Sequence, residues 1–379
     1  MKKLFFFLLL SFFALPLFAL RSGQDTIELE NIKWLRGNPQ HLVFRNSQRN
    51  LREYRIAVFM LTNTGNAVDT LRMLNSLAER YAKFIKICVI TPDPETDAVN
   101  LLSQLHTPHL SFGIDTARKT TQRYMAGSML FPMAFVADGT RTIVWNGECI
   151  DLPELLAEAE KNPINTDKYE KLSPLLDELQ ALLRSSDSRR IRLFADRIFK
   201  LDPGNAAALR MGLFVLENTG KAAEGWNIIR EQLTAVPRKA RLYYTALDYL
   251  SRHPVFTSEL PEITGLFLAN IHDADACDYL TWHLLSRFNF DSGALTAAVK
   301  IYEKGRSETQ KTRRSPAALA GHTAAGALLA AKLGNFTKAI ELQHQTIRHW
   351  QAAKNPAAAE NAKKIAEYLI LCSKTRVKW

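Results

Sequence analysis

Cysteine is scarce and scattered. Cys88, Cys149, Cys277 and Cys372 are the four cysteines in 379 residues. No two of them form a C-x-x-C, and no spacing suits a zinc site. H-E-x-x-H, G-x-S-x-G and a phosphate-binding glycine loop are also missing, which removes the motif-based grounds for metalloprotease, serine-hydrolase or P-loop chemistry. Beyond the first twenty residues no run is apolar enough to span a bilayer. Low hydrophobicity is lacking too. At 47% hydrophobic and 23% charged residues the composition is that of a folded protein, and the length suits two domains. An even cysteine count permits disulfides in an exported chain. Cys88, however, sits inside the apolar run 84–91 and reads as a small buried hydrophobe.

The chain begins with Lys2 and Lys3, an apolar run over 4–13, and small residues at Ala14 and Ala19. That is the pattern of a secretory signal peptide, with cleavage expected after Ala19 although Leu17 suits the −3 position less well than alanine. A periplasmic or otherwise exported protein is expected, anchored to the membrane only if the signal stays uncleaved. No cysteine follows the run, so there is no lipoprotein signal. Removing Lys2 and Lys3 takes the formal charge from +11 to +9. The densest basic cluster is Lys304, Arg306, Lys311, Arg313 and Arg314. It has no interleaved aromatics for base stacking, so it reads as a solvated loop, and no nucleic-acid partner is expected.

Strand and helix signals alternate through the first half. Residues 54–61 (YRIAVFML) and 84–91 (FIKICVIT) are continuous apolar runs, suited to strands buried on both faces. Leu71, Leu74, Leu77 and Ala78 lie at helical spacing within 68–81, and further helices are expected over 96–105, 116–125 and 152–161. Residues 134–137 and 142–145 flank Asp138-Gly139 as a hairpin. The expected order is β-α-β-α-α-β-β-α.

Residues 28–162 resemble the thioredoxin fold in its TlpA-like branch. The resemblance is carried by Lys33-Trp34-Leu35-Arg36-Gly37, Phe59-Met60-Leu61-Thr62, Phe131-Pro132-Met133-Ala134-Phe135 and Ile143-Val144-Trp145-Asn146-Gly147, in that order. It implies a central mixed sheet with flanking helices. It also implies a cis Pro132 facing the turn at 64–67, with the Phe131 backbone free to pair with an extended peptide as an added strand. The departure is the redox dyad. Thr64-Gly65-Asn66-Ala67 stands where the family carries Cys-Gly-Pro-Cys. A thiolate chemistry needs cysteine at that helix N-terminus; threonine can only cap the helix with its hydroxyl. Cys88 and Cys149 fall three strands apart by the same analogy, about 14 Å, against the roughly 7 Å limit for a disulfide. Cys149 follows an exposed hairpin and is the candidate for a lone reactive thiol, although nothing basic lies beside it to stabilise a thiolate and Glu148 and Asp151 would raise its pKa.

From 168 onward strand signals vanish. Helices are expected over 168–184, 188–201, 205–218, 222–235, 240–252, 258–271, 274–288, 292–304, 316–333, 336–352 and 357–372. Leu201-Asp202-Pro203 and Ala235-Val236-Pro237 end two of them 34 residues apart, the tetratricopeptide period, and 34 more reaches Ile271. Leu333-Gly334-Asn335-Phe336-Thr337-Lys338-Ala339 resembles a tetratricopeptide turn out of phase with these, which implies an irregular segment around 290–315. Aromatics and methionines on the helices read as core. His272-Asp273-Ala274-Asp275-Ala276-Cys277-Asp278 looks metal-like in composition, but it lacks the glycine and distal glutamate of a calcium loop and fits helix capping better.

The expectation is therefore a signal peptide (1–19), an α/β thioredoxin-like domain (20–162) and an all-α tetratricopeptide-like domain (163–379). The expected function is protein or extended-peptide binding, or scaffolding, in the cell envelope. Thr64, Gly65, Asn66, Phe131 and Pro132 are the binding candidates, with no metal and no cofactor. The alternative is a divergent thiol–disulfide oxidoreductase using Cys149.

Overall fold

Six strands make one sheet: β1 (Lys33–Arg36), β2 (Tyr54–Phe59), β3 (Ile85–Thr91), β4 (Leu110–Ile114), β5 (Met133–Ala137) and β6 (Ile143–Glu148). Their order across the sheet is β1-β4-β3-β2-β5-β6. The chain is described from a computed structural model over residues 20–26, 28–37, 53–103, 105–125, 131–182, 187–288, 291–311 and 314–375. The expected signal peptide lies outside the described residues.

β2, β3 and β4 run parallel, while β1 opposes β4, β5 opposes β2 and β6 opposes β5. Parallel neighbours need crossovers, supplied by α1 (Ala67–Arg80) between β2 and β3 and by α2 (Glu95–Ser103) between β3 and β4. α3 (Lys119–Met125) precedes β5, and α4 (Leu152–Ala159) follows β6. Alternation along the strands divides the core. Ile56, Val58, Ile87 and Val89 join Leu71, Leu74 and Leu156 in one cluster. Phe59, Cys88, Ile90 and Phe135 join Leu20, Tyr124 and Ile143 in the other.

β1 and β4 are additions to the expected order. β4 (LSFGI) is short and carries a glycine, so no strand pattern stands out. Its glycine has a packing reason: a Cβ on Gly113 would collide with Ile32 and Trp34. β1 is a half-exposed edge strand with no clean alternation.

The chain divides into two compact units between Pro174 and Leu175, within α5 (Thr166–Leu182). The second unit is helical: α6 (Ser188–Leu201), α7 (Ala206–Asn218), α8 (Ala222–Ala235), α9 (Ala240–Arg252), α10 (Leu260–Asn270), α11 (Ala274–Arg287), α12 (Ser292–Lys311), α13 (Pro316–Lys332), α14 (Phe336–Ala352) and α15 (Pro356–Thr375). Local sequence sets many boundaries. Asp187, Asn205, Asp273, Ser315 and Asn335 each accept a hydrogen bond from the backbone N–H three residues on. Gly220 and Gly334 take positive φ just past α7 and α13. α7, α9 and α11 begin 34 residues apart, at Ala206, Ala240 and Ala274.

Two expectations fail in this unit. The phase break expected around 290–315 is not a loop over its described part, because α12 runs for 20 residues there, Ser292–Lys311. The basic cluster is not a solvated loop either. Lys304, Arg306 and Lys311 lie on α12, and the Arg314 side chain is buried between Asp275 and Asp278.

Candidate functional site

β2 and β5 pair with Phe59 opposite Met133. That register brings the turn after β2 and the segment before β5 to the same end of the sheet. Thr64, Gly65 and Asn66 lie on the turn; Phe131 and Pro132 enter β5. The Phe131–Pro132 peptide bond is cis, as the resemblance implies.

The turn is held from below by a carboxylate the sequence reading overlooked. Asp93 Oδ2 accepts the Thr62 N–H at 2.6 Å and the Thr62 hydroxyl at 2.8 Å. Asp93 is itself set by its own N–H donating to Thr91 Oγ1 at 3.1 Å. The available signal was an aspartate between two prolines, Pro92-Asp93-Pro94, directly after a buried strand. Thr62 is buried, Thr64 half-buried, and Gly65 and Asn66 exposed.

Thr64 does not cap the helix as expected. Its hydroxyl turns back and donates to the Leu61 carbonyl at 3.2 Å. α1 starts at Ala67, after Asn66, whose side chain makes no capping bond. The Ala67 N–H donates to the Thr64 carbonyl at 3.0 Å, so 64–67 closes as a tight four-residue turn. Ala67 is only 1% exposed. Nothing lies within 4 Å of a Cβ built on Gly65, so the outer side of the turn is open. Beneath it Phe59, Tyr124 and Phe135 pack as a ring cluster with centroids 5.0–5.8 Å apart. Phe131 and Met133 rest on the same cluster. Among the described residues no backbone hydrogen bond engages Phe131, whereas the next carbonyl, of Pro132, accepts the Cys149 N–H at 3.2 Å.

All four cysteines are free and buried. Cys88 is fully buried, as expected, and burial pushes its thiol up to about 12. Cys149 is 1% exposed, although it follows the hairpin. It opens a 3-10 turn, Cys149–Asp151, and belongs to the same core cluster as Leu152 and Leu156. Burial raises its pKa far above the usual range, and Glu148 and Asp151 add to the shift. Cys88 and Cys149 belong to different core clusters. Burial favours the neutral thiol at both positions.

In the helical unit the metal-like run resolves into structure. Asp273 caps α11, and Asp275 and Asp278 bind Arg314. Among the described residues no cluster suits a metal ion. Not every helical aromatic is core: Phe214, Tyr279 and Trp282 are about half exposed, and the Tyr244 and Tyr279 rings meet at 4.4 Å. Phe214 and Trp282 occupy the same place, the ninth residue, in α7 and α11.

The strand order, the β2–α1–β3 crossover and the cis proline entering β5 at the end of the sheet that carries the β2–α1 turn define a thioredoxin-like fold followed by a helical domain. No family model and no curated protein matches the chain. Solved structures similar to it include one given provisionally as the thiol:disulfide interchange protein DsbE of Chlorobium tepidum. That protein is 16% identical over 37% of this chain and 99% of its own, with a TM-score of 0.30. A thiol peroxidase from Chromobacterium violaceum is 14% identical over 38% of this chain and 90% of its own, at 0.28. An uncharacterized thioredoxin-like protein from Porphyromonas gingivalis is 22% identical over 35% and 88%, at 0.26. Likeness at this level says nothing of activity.

Proposed function

We propose that this chain is an exported protein- or extended-peptide-binding scaffold of the cell envelope. In this reading a thioredoxin-like domain that performs no thiol–disulfide exchange is joined to a tetratricopeptide-like helical domain. The observation that carries it is a thioredoxin-type turn with Thr64 and Ala67 at the dyad positions, in a unit whose thiols are buried and held protonated. Such a turn keeps the recognition half of the fold without the chemistry.

Recognition would come from the Phe131 backbone, whose N–H and C=O can pair with an extended chain as an added strand, beside the open surface at Thr64, Gly65 and Asn66. The 34-residue recurrence of helix starts and the glycine turns at Gly220 and Gly334 support the tetratricopeptide reading. Phe214, Tyr279 and Trp282 would offer that domain's apolar contacts. Export rests on the lysine–apolar–small-residue pattern of residues 1–19. No cofactor or metal enters the reading.

Binding of a reduced, carboxymethylated unfolded protein tests it, because that probe cannot exchange disulfides. Gly65→Trp, which fills the open side of the turn, and Phe131→Pro, which removes the N–H that would pair with the added strand, are each expected to weaken binding about tenfold or more. Unchanged binding in both variants, or insulin reduction by the wild-type chain, would overturn the reading; the latter would favour a divergent oxidoreductase.

A further inference from the structure

The 34-residue rhythm of α7, α9 and α11 breaks after α11. α7, α9 and α11 begin at Ala206, Ala240 and Ala274, so the next start would fall at Glu308. Instead α12 runs through that position to Lys311, and α13 begins at Pro316. α9 packs on α11, and α11 on α13, so equivalent helices stay in contact across the break.

A buried ionic cluster sits at the break. The Arg314 guanidinium binds Asp275, Asp278 (2.7 Å) and Thr309 Oγ1 (2.9 Å). The other oxygen of Asp278 meets His322 Nδ1 at 2.7 Å. Side chains of Arg314, Asp278 and His322 are all less than a tenth exposed. Tyr302 of α12 stacks on the His322 ring at 4.7 Å. A Cβ on Gly305 would meet Cys277, so α12 lies close on α11. The cluster thus ties α11, α12, the residue entering α13 and α13 itself at one point.

We propose that the Arg314–Asp278–His322 cluster is a latch that couples the block α13–α15 to the helices before the break, so that the two blocks open and close together. An apolar contact would hold the blocks without fixing their register. One carboxylate of α11 shared between the guanidinium entering α13 and an imidazole within α13 fixes the register of α13 on α11. Removing Arg314 strips the charge partner from Asp278 and frees the entry to α13 at once.

Peptide-resolved hydrogen exchange on the full mature chain tests this. In the wild type, peptides from α7–α11 and α13–α15 are expected to share one opening transition in denaturant. In Arg314→Met, α13–α15 is expected to exchange at least about tenfold faster than α7–α11. Arg314→Lys keeps the charge but cannot fork between two carboxylates. It is expected to shift the same way by less, and it decides the matter if Arg314→Met does not fold. Lys363→Met, at an exposed pair on α15, is expected to leave the shared transition intact. If α13–α15 and α7–α11 stay locked to one transition in the Arg314 variants, at whatever stability, the latch is refuted.

Discussion

Restoring two cysteines to the turn probes the site most deeply. In Thr64→Cys/Ala67→Cys the two thiols sit across a four-residue turn already closed by the Ala67 N–H to Thr64 carbonyl bond at 3.0 Å. Such a turn keeps its end Cα atoms within about 7 Å, inside the range a disulfide spans. Closing so small a loop contributes about 2 kcal/mol. Ala67 is 1% exposed, so adding a sulfur there costs about 1–3 kcal/mol of overpacking. The oxidised variant should therefore match the wild type in stability within about 1 kcal/mol. The helix N-terminus stabilises the thiolate at 64 by about 0.3–1 kcal/mol, which lowers an ordinary thiol by about 0.2–0.7 unit. A pKa near 8 is expected at position 64, with an unreactive thiol at 67. Mass mapping of the oxidised protein and an insulin-reduction assay read the result. Gain of weak turnover supports the reading that only the dyad was lost. Failure to form the 64–67 disulfide would refute the assignment of this turn.

Other predictions are smaller in scope. Asp93→Ala removes the acceptor of the buried Thr62 N–H and hydroxyl and should cost about 1–3 kcal/mol in denaturant unfolding, with a parallel loss of binding to the carboxymethylated probe. Leu71→Ala, at a fully buried position of α1, should cost about 2–5 kcal/mol by the same measurement. Stability should fall in alkali. Cys88 stays protonated in the folded state up to about 12, whereas the unfolded thiol titrates near 8.5. Its stabilising contribution is complete below that pH and shrinks by about 1.4 kcal/mol per unit above it. Cys88→Ala should flatten the slope between pH 9 and 10.5, and an unchanged slope would contradict the buried thiol.

Much of this architecture was legible because its signals are local. Helix ends at Leu201 and Ala235 carry capping and proline punctuation, so α6 and α8 fall where expected. β2 and β3 are mostly apolar, with Arg55 and Lys86 near their starts, because both faces are covered along most of their length. β4 was not legible: its ladder partners, β3 and β1, are distant in sequence, and Ser111 and Gly113 break its pattern. The hydrogen bond of Thr64 was not legible, since the hydroxyl's choice between α1 and Leu61 depends on turn geometry. Cys149 follows a hairpin, which suggested a reactive thiol; it opens a 3-10 turn and belongs to the core. Arg314 belongs to a basic run by sequence, yet its partners lie 36 and 39 residues away. Local charge patterning carries no trace of them.

The central claim, a thioredoxin-like unit without thiol chemistry, is tested most directly by labelling the native mature protein with a thiol reagent from pH 5 to 9, mapping the modified cysteine and assaying insulin reduction in the same samples. The account predicts slow labelling that rises only as the protein opens, with no turnover. Fast labelling of Cys149 below neutral pH, accompanied by turnover, would contradict it.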